Sequence, residues 1–288
     1  MLTSRFEYHR PDSLEEALQL LAEHGDEAKV LAGGQSLIPV MKLRLAAPAH
    51  LIDISRLGMD SIAEADGHLA IGALTRHRDL ERSDLLKARY PVMAAAAPQI
   101  SDPIVRNLGT IGGSLCHADP AGDWGSVMLA LQASVVLRSG RGERELPIAK
   151  FLEDTFTTAL EPDEILTEVR VPQPAGSSGG TYLKMERKVG DFATVAAALH
   201  ISLSDGTIER AGIGLTAVGS KNLQATDAEA SLAGAEPTEA AFAEAGRLAA
   251  EASSPVTDVR GSADYKRHIV DVYVRRGLDR ALEMARAA

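Results

Sequence analysis

The chain of 288 residues has one cysteine, few aromatic residues, no block of basic charge and no long apolar run. The lone Cys116 excludes an internal disulfide, and it also excludes an iron–sulfur cluster or a thiolate zinc site held by this polypeptide alone. Aromatic residues make up 4%, and Lys+Arg of 30 against Asp+Glu of 40 leaves a formal net charge of -10. With so few rings to stack bases and no stripe of cations, no nucleic acid is expected as a partner. The most alanine-rich apolar stretch, PVMAAAAPQI, is far shorter than the roughly 20 residues a membrane helix requires, so no membrane insertion is expected. The opening MLTSRFEYHRPDSLEEAL lacks the basic region, apolar core and cleavage site of a secretory signal, which makes the cytoplasm the expected compartment. What is present is enough chain to bury a large core and to divide in two.

Ser13 and Glu16 have capping-box spacing, Leu14, Ala17, Leu18 and Leu21 share one face, and Gly25 suits a helix exit. A short buried strand (AKVLA), a glycine turn, a helical turn (SLIPVMKLRL) and a second strand (HLIDIS) follow, which is an α/β unit. From about Gly67 to Pro172 short strands (HLAIGA, ASVVLRS, EILTEVRV) mix with two helices, LTRHRDLERSDLLKARY and PVMAAAAPQ. The Pro/Gly/Ser-rich segment PQPAGSSGG, 172–180, is the expected boundary. It divides the chain into 1–175, with subdomains of about 1–55 and 56–175, and 176–288. Beyond it the pattern predicts a three-stranded antiparallel meander with Asp205-Gly206 as a hairpin turn, then helices.

Three clusters carry polar or backbone chemistry. A strand running into Gly33-Gly34 exposes consecutive N–H groups, Gln35 and Ser36 add side-chain donors, and phosphate oxygens suit such a loop. Neither the dinucleotide fingerprint nor the Walker pattern is present, so an ordinary tight turn competes with this reading. A second stretch, NLGTIGGSLCHADPAGDW, repeats the arrangement with Gly112-Gly113 between Thr110 and Ser114, and two such loops could face one pyrophosphate from both sides. His117, Asp119 and Asp123 invite a metal reading, but turn and helix-cap roles account for the two aspartates, and no metal is expected. Cys116 and Trp124 read as packing residues. In YLKMERKVGDF, Lys184, Arg187, Lys188 and Asp191 form either a solvated turn or a cationic edge for a flavin, with Lys184 the candidate.

Taken together, AGGQSLIPVMKLRLAAPAHLIDI, ISDPIVRNLGTIGGSLCHADPAGDW, PDEILTEVRVP and YLKMERKVGDFATVAAAL resemble, in order and over nearly the whole chain, the FAD-binding medium subunit of molybdenum hydroxylases, closest to the aerobic carbon monoxide dehydrogenase branch. The resemblance implies an α+β protein. Its FAD-binding fold would be of the vanillyl-alcohol oxidase or p-cresol methylhydroxylase type, with two α/β subdomains and a C-terminal domain. By the same resemblance Val30, Leu31, Ala32, Gly33, Gly34, Gln35, Ser36 and Leu37, with Thr110, Ile111, Gly112, Gly113 and Ser114, would wrap the FAD pyrophosphate and ribose. His117 and Asp123 would make polar contacts, Ile100 would lie beside the adenine, Ile165 and Leu166 would border the cofactor, and Lys184 would approach it from the C-terminal domain. The partners implied are a small subunit with two 2Fe–2S clusters and a large molybdopterin subunit, assembled as a dimer of heterotrimers. This chain would pass electrons from the clusters through FAD to an external acceptor, with no acid–base catalytic residue of its own. Gln35 stands where many carbon monoxide dehydrogenase relatives have His. Two other readings remain open here: a self-sufficient flavin oxidase or reductase of the same fold, and a non-catalytic nucleotide-binding or assembly protein.

Overall fold

The computed structural model describes residues 2–287. Its first layer is the expected α/β unit. The Ser13 hydroxyl accepts from Glu16 N at 3.1 Å, the Glu16 carboxylate accepts from Asp12 N at 2.8 Å, and Gly25 at φ 50 closes the helix Leu14–His24. That helix buries Ala17, Leu18 and Leu21 in a small core with Ala28, Ile52 and Ile54. Ala28 and Ile52 belong to the parallel strands β1 (Glu7–His9), β2 (Ala28–Leu31) and β3 (His50–Asp53), ordered β1-β3-β2, so β2 is an edge.

The second layer is antiparallel. It uses β4 (Ile62–Ala65), β5 (His68–Gly72), β6 (Ser134–Ser139) and β7 (Gly142–Pro147); a separate ribbon pairs β8 (Leu152–Asp154) with β9 (Thr157–Thr158). The strand β10 (Ile165–Pro172) then enters between β5 and β6, giving the order β4-β5-β10-β6-β7. Alternating Leu69 and Ile71, Val135 and Leu137, and Val169 and Val171 point into the central core, the period-2 pattern of a half-buried sheet. Short helices connect β5 to β6, and here the expectation of one helix over 74–90 is corrected. Two helices form, His77–Arg82 and Asp84–Arg89, because Ser83 leaves helical geometry at ψ 116 and its hydroxyl accepts from Leu86 N at 3.3 Å, capping the second.

The third sheet is a meander of β11 (Ser177–Glu186), β12 (Ala193–Ser204), β13 (Thr207–Thr216) and a short fourth strand β14 (Leu223–Gln224), where three were expected. Its connection to β10 is also shorter than expected, since the Ser/Gly half of PQPAGSSGG is strand and residues 173–176 alone link the sheets. Asp205 (φ 50) and Gly206 (φ 81) make the β12–β13 turn, both in the left-handed region that a two-residue hairpin demands. Both faces of β12 are covered. Ala196 and Ala198 join the central core, whereas Val195, Ala197, Leu199 and Ile201 join the core under the helices Glu239–Ala252 and Ala263–Ala287. On the same sheet Gly212 and Gly214 lie against the backbone of the helix Asp123–Ala130, with a side chain's Cβ destined for 1.8 Å from Ala130 O or 1.9 Å from Ser126 O. Helix and strand can touch this closely only through glycine.

Candidate functional site

A cleft of about 780 Å³ runs along the free edge of β2 and between the two glycine loops. Val30, Ala32, Gly33, Gly34, Gln35, Ser36 and Leu37 line it from one side, and Thr110, Gly112, Gly113, Ser114 and His117 from another. Ile100, Asp123, Ile165 and Leu166 complete the wall among the expected residues. Leu31, Ile111 and Lys184 do not reach it: Ile111 is fully buried in the core behind the second loop, and Leu31 points a methyl at Gly34.

The two loops are not equivalent. At the first, Ile38 N donates to Gly34 O and Val40 N to Ser36 O, but among the described residues no acceptor pairs with the N–H of Gly33, Gly34, Gln35, Ser36 or Leu37. Five successive half-exposed amides on the cleft wall are thus left to solvent or to an acceptor bound in the cleft. Gln35 Nε2 stands 3.4 Å from Gly33 O, a weak tether that keeps its amide at the loop. At the second loop the donors are already engaged: Ile111 N with Thr75 O, Gly112 N with Ala73 O, Gly113 N with Thr110 Oγ1 and Ser114 N with Thr110 O. Gly112 is needed for packing, because a Cβ there would sit 2.7 Å from Ala73 Cβ. Gly113 presents its bare Cα toward Ala32 of the first loop. The first loop therefore supplies amide donors, and the second supplies close approach and the Ser114 hydroxyl. Gly33 holds the loops together, with a Cβ there only 2.0 Å from Leu108 O.

Behind this wall lies a charged cluster. Asp123 opens its helix at the first position, but its carboxylate does not cap it as expected; it accepts from Tyr182 OH at 2.6 Å and pairs with Lys184 Nζ at 3.1 Å. Lys184 also donates to Gln99 O at 2.9 Å, stands 3.6 Å from Glu186 and leaves its side chain 1% exposed. Burial raises the Asp123 pKa above the ordinary carboxylate range, opposed by the Lys184 charge and the Tyr182 hydrogen bond, and burial beside Asp123 holds the Tyr182 phenol protonated. Lys184 is thus joined to the cleft wall through Asp123, which lines it. Arg187, Lys188 and Asp191 form the outer turn, where Asp191 pairs with Arg260 at 3.2 Å.

The remaining candidates settle plainly. Burial pushes the Cys116 thiol up to about 12, which leaves it an inert packing group at neutral pH. Trp124 is fully buried and donates from Nε1 to His77 Nδ1 at 3.0 Å. Burial lowers the His117 pKa, with Asp119 opposing, and the ring lies 5.0 Å from that of Phe156. Asp119 Oδ1 accepts from Ala121 N at 2.9 Å, a turn role as expected. Sequence reasoning missed Phe156 and Phe192, both exposed and both on the cleft wall. Phe156 takes φ 52 in the β8–β9 turn, where no glycine or asparagine signals a left-handed residue.

Residues 4–174 match the family of the FAD binding domain in molybdopterin dehydrogenase, and residues 180–281 match the CO dehydrogenase flavoprotein C-terminal domain. Among curated proteins the chain is 41% identical to the carbon monoxide dehydrogenase medium chain of Hydrogenophaga pseudoflava, over 98% of both chains. It is 40% identical to the 6-hydroxypseudooxynicotine dehydrogenase complex subunit alpha of Paenarthrobacter nicotinovorans, over 98% of this chain and 96% of that one. Of solved structures, the carbon monoxide dehydrogenase of H. pseudoflava lacking the Mo-pyranopterin moiety of its cofactor superimposes with a TM-score of 0.95 at 43% identity, covering 99% of each chain. Quinoline 2-oxidoreductase from Pseudomonas putida 86 gives 0.90 at 32%, covering 100% of this chain and 99% of that one. Fold and cleft together define an FAD-binding flavoprotein. The chain belongs to the medium, FAD-binding subunits of the molybdenum hydroxylases, an oxidoreductase family.

Proposed function

We propose that this chain is the electron-exit module of a heterotrimeric molybdenum hydroxylase. The carrying observation is the run of free amides from Gly33 to Leu37 on a cleft wall, which fits the oxygens of a pyrophosphate. The site residues would be those lining the cleft, with the first loop on the phosphates, Ser114 and His117 beside them, and Ile100, Ile165 and Leu166 as apolar walls. When bound there, FAD supplies the redox chemistry, exchanging electrons between iron–sulfur clusters and an external acceptor. The chain's own residues bind, orient and shield it: Asp123 stays fixed by Lys184 and Tyr182, and Cys116 stays protonated.

One cysteine leaves the clusters to another polypeptide, and membership of this family supplies the partners, a small subunit with two 2Fe–2S clusters and a large molybdopterin subunit, in a dimer of heterotrimers. Relatives named for carbon monoxide, nicotine derivatives and glyceraldehyde share this architecture, which fits a substrate site on the large subunit. Among the described residues no helix is long and apolar enough to cross a membrane, and we place the assembly in the cytoplasm. The chain would divide near 175 into an FAD-binding part, itself of subdomains about 1–55 and 56–175, and the C-terminal part 176–288.

Absorption spectra of the purified chain, after FAD is added and the excess removed, test this. Flavin bands should be retained by the wild type and lost in Ser114→Trp, which fills the cleft while leaving every glycine contact intact. A folded wild type without flavin, or a variant that retains it equally, would overturn the site.

A further inference from the structure

Three histidines from three segments meet on the layer formed by β1, β2 and β3. His9 ends β1, His50 begins β3, and His24 is the last residue of the helix Leu14–His24. Parallel pairing sets Glu7 opposite His50, and the period of two puts His9 on the same face as Glu7, and His50 on the same face as Ile52, which packs under that helix. The outcome is close contact: His9 Nε2 lies 3.0 Å from His50 Nδ1, and the His24 ring stacks on His50 with centroids 3.7 Å apart and planes 7° apart. One nitrogen from each ring lies within 4.8 Å of the other two, all three rings are half-buried, and Glu7 Oε2 is 3.6 Å from His50 Nδ1.

We propose that His9, His24 and His50 bind a divalent transition-metal ion of the zinc class, with Glu7 or water as the fourth ligand. Each neutral imidazole carries one lone pair in the ring plane, and an ion placed between His9 Nε2 and His50 Nδ1, which otherwise share one hydrogen bond at 3.0 Å, would take a lone pair from each. Nitrogen donors select zinc and its transition-metal neighbours over calcium or magnesium. Two nitrogens on a tetrahedral zinc with bonds of about 2.0 Å stand about 3.3 Å apart, close to the observed His9–His50 spacing. Binding asks one movement: the His24 ring must turn from stacking on His50 so that a nitrogen faces the gap, and as a helix-terminal residue it is placed to do so. The ion would then join β1, β3 and the helix whose exit, Gly25 and Asp26, forms part of the cleft wall.

The test is calorimetric titration of Zn2+ into the full-length, chelator-stripped chain carrying no histidine tag, with Co2+ absorption reporting the ligand geometry. One ion per chain is expected, with affinity at least about 10-fold weaker in His9→Gln, His24→Gln and His50→Gln and unchanged in the control His68→Gln. A tetrahedral Co2+ spectrum should vanish in the same three variants. Should His50→Gln fail to fold, His24→Gln at the helix end decides alone. No binding, or binding that these substitutions leave unchanged, would overturn the proposal.

Discussion

Asp123 and Lys184 show what single residues decide here. Each charge is buried, and each is tolerable because the other is present at 3.1 Å. Lys184→Met should therefore destabilise the protein by about 3–5 kcal/mol, since it strands a carboxylate beside a core. The double variant Asp123→Asn with Lys184→Met should recover much of that loss. Urea unfolding of the wild type, both single variants and the double variant checks it; simple additivity would show that the pair is not coupled. Neither residue hides in the sequence, where an aspartate before an apolar helix and a lysine in a strand both draw notice. Their pairing does hide, because 61 residues separate them and only the approach of the third sheet to the second layer brings them together.

Among the elements, the two glycine loops read alike and fold differently. Both were legible as glycine turns between a strand or loop and a helix. Which one keeps its donors free is set by carbonyls elsewhere, Thr75 O and Ala73 O, which lie at the end of β5 and engage the second loop alone. That information is tertiary and has no local pattern. The helix Ile111–His117 depends on Thr110, so Thr110→Ala should cost about 1 kcal/mol and Thr110→Ser much less, read by chemical denaturation. At Gly214, alanine would overpack the helix Asp123–Ala130 and should cost about 1–3 kcal/mol, again by denaturation. The same reasoning explains the broken helix at Ser83: apolar period alone reads one element, while a serine's ability to bond the backbone ends one helix and starts the next.

For the whole molecule, stability should decline in acid before most carboxylates titrate. Burial depresses the pKa of His77 to about 4, with Arg106 adding to the effect, and that of His200 to about 4, with Arg210 adding. The folded state then binds fewer protons than the unfolded chain between pH 6.5 and 4, so these residues' contribution is full above about 6.5 and is lost as pH falls toward 4. Each accounts for up to about 3 kcal/mol, and His200→Leu should flatten the decline of melting temperature over that window. The α/β unit and the antiparallel meander were legible from element order and turn chemistry, but the histidine trio was not, since strand register brings its members together. Of the Pro/Gly/Ser-rich stretch, residues 173–176 pass between two sheets and the Ser/Gly half is strand. The meaning of this link changes with β12, whose Ala196 and Ala198 belong to the central core and whose Val195, Ala197 and Leu199 belong to the other. A protease nick at 173–176 should thus yield two fragments by denaturing electrophoresis that still migrate together on gel filtration and melt in one transition. The linker divides the covalent chain, while a strand that faces two cores ties its halves together.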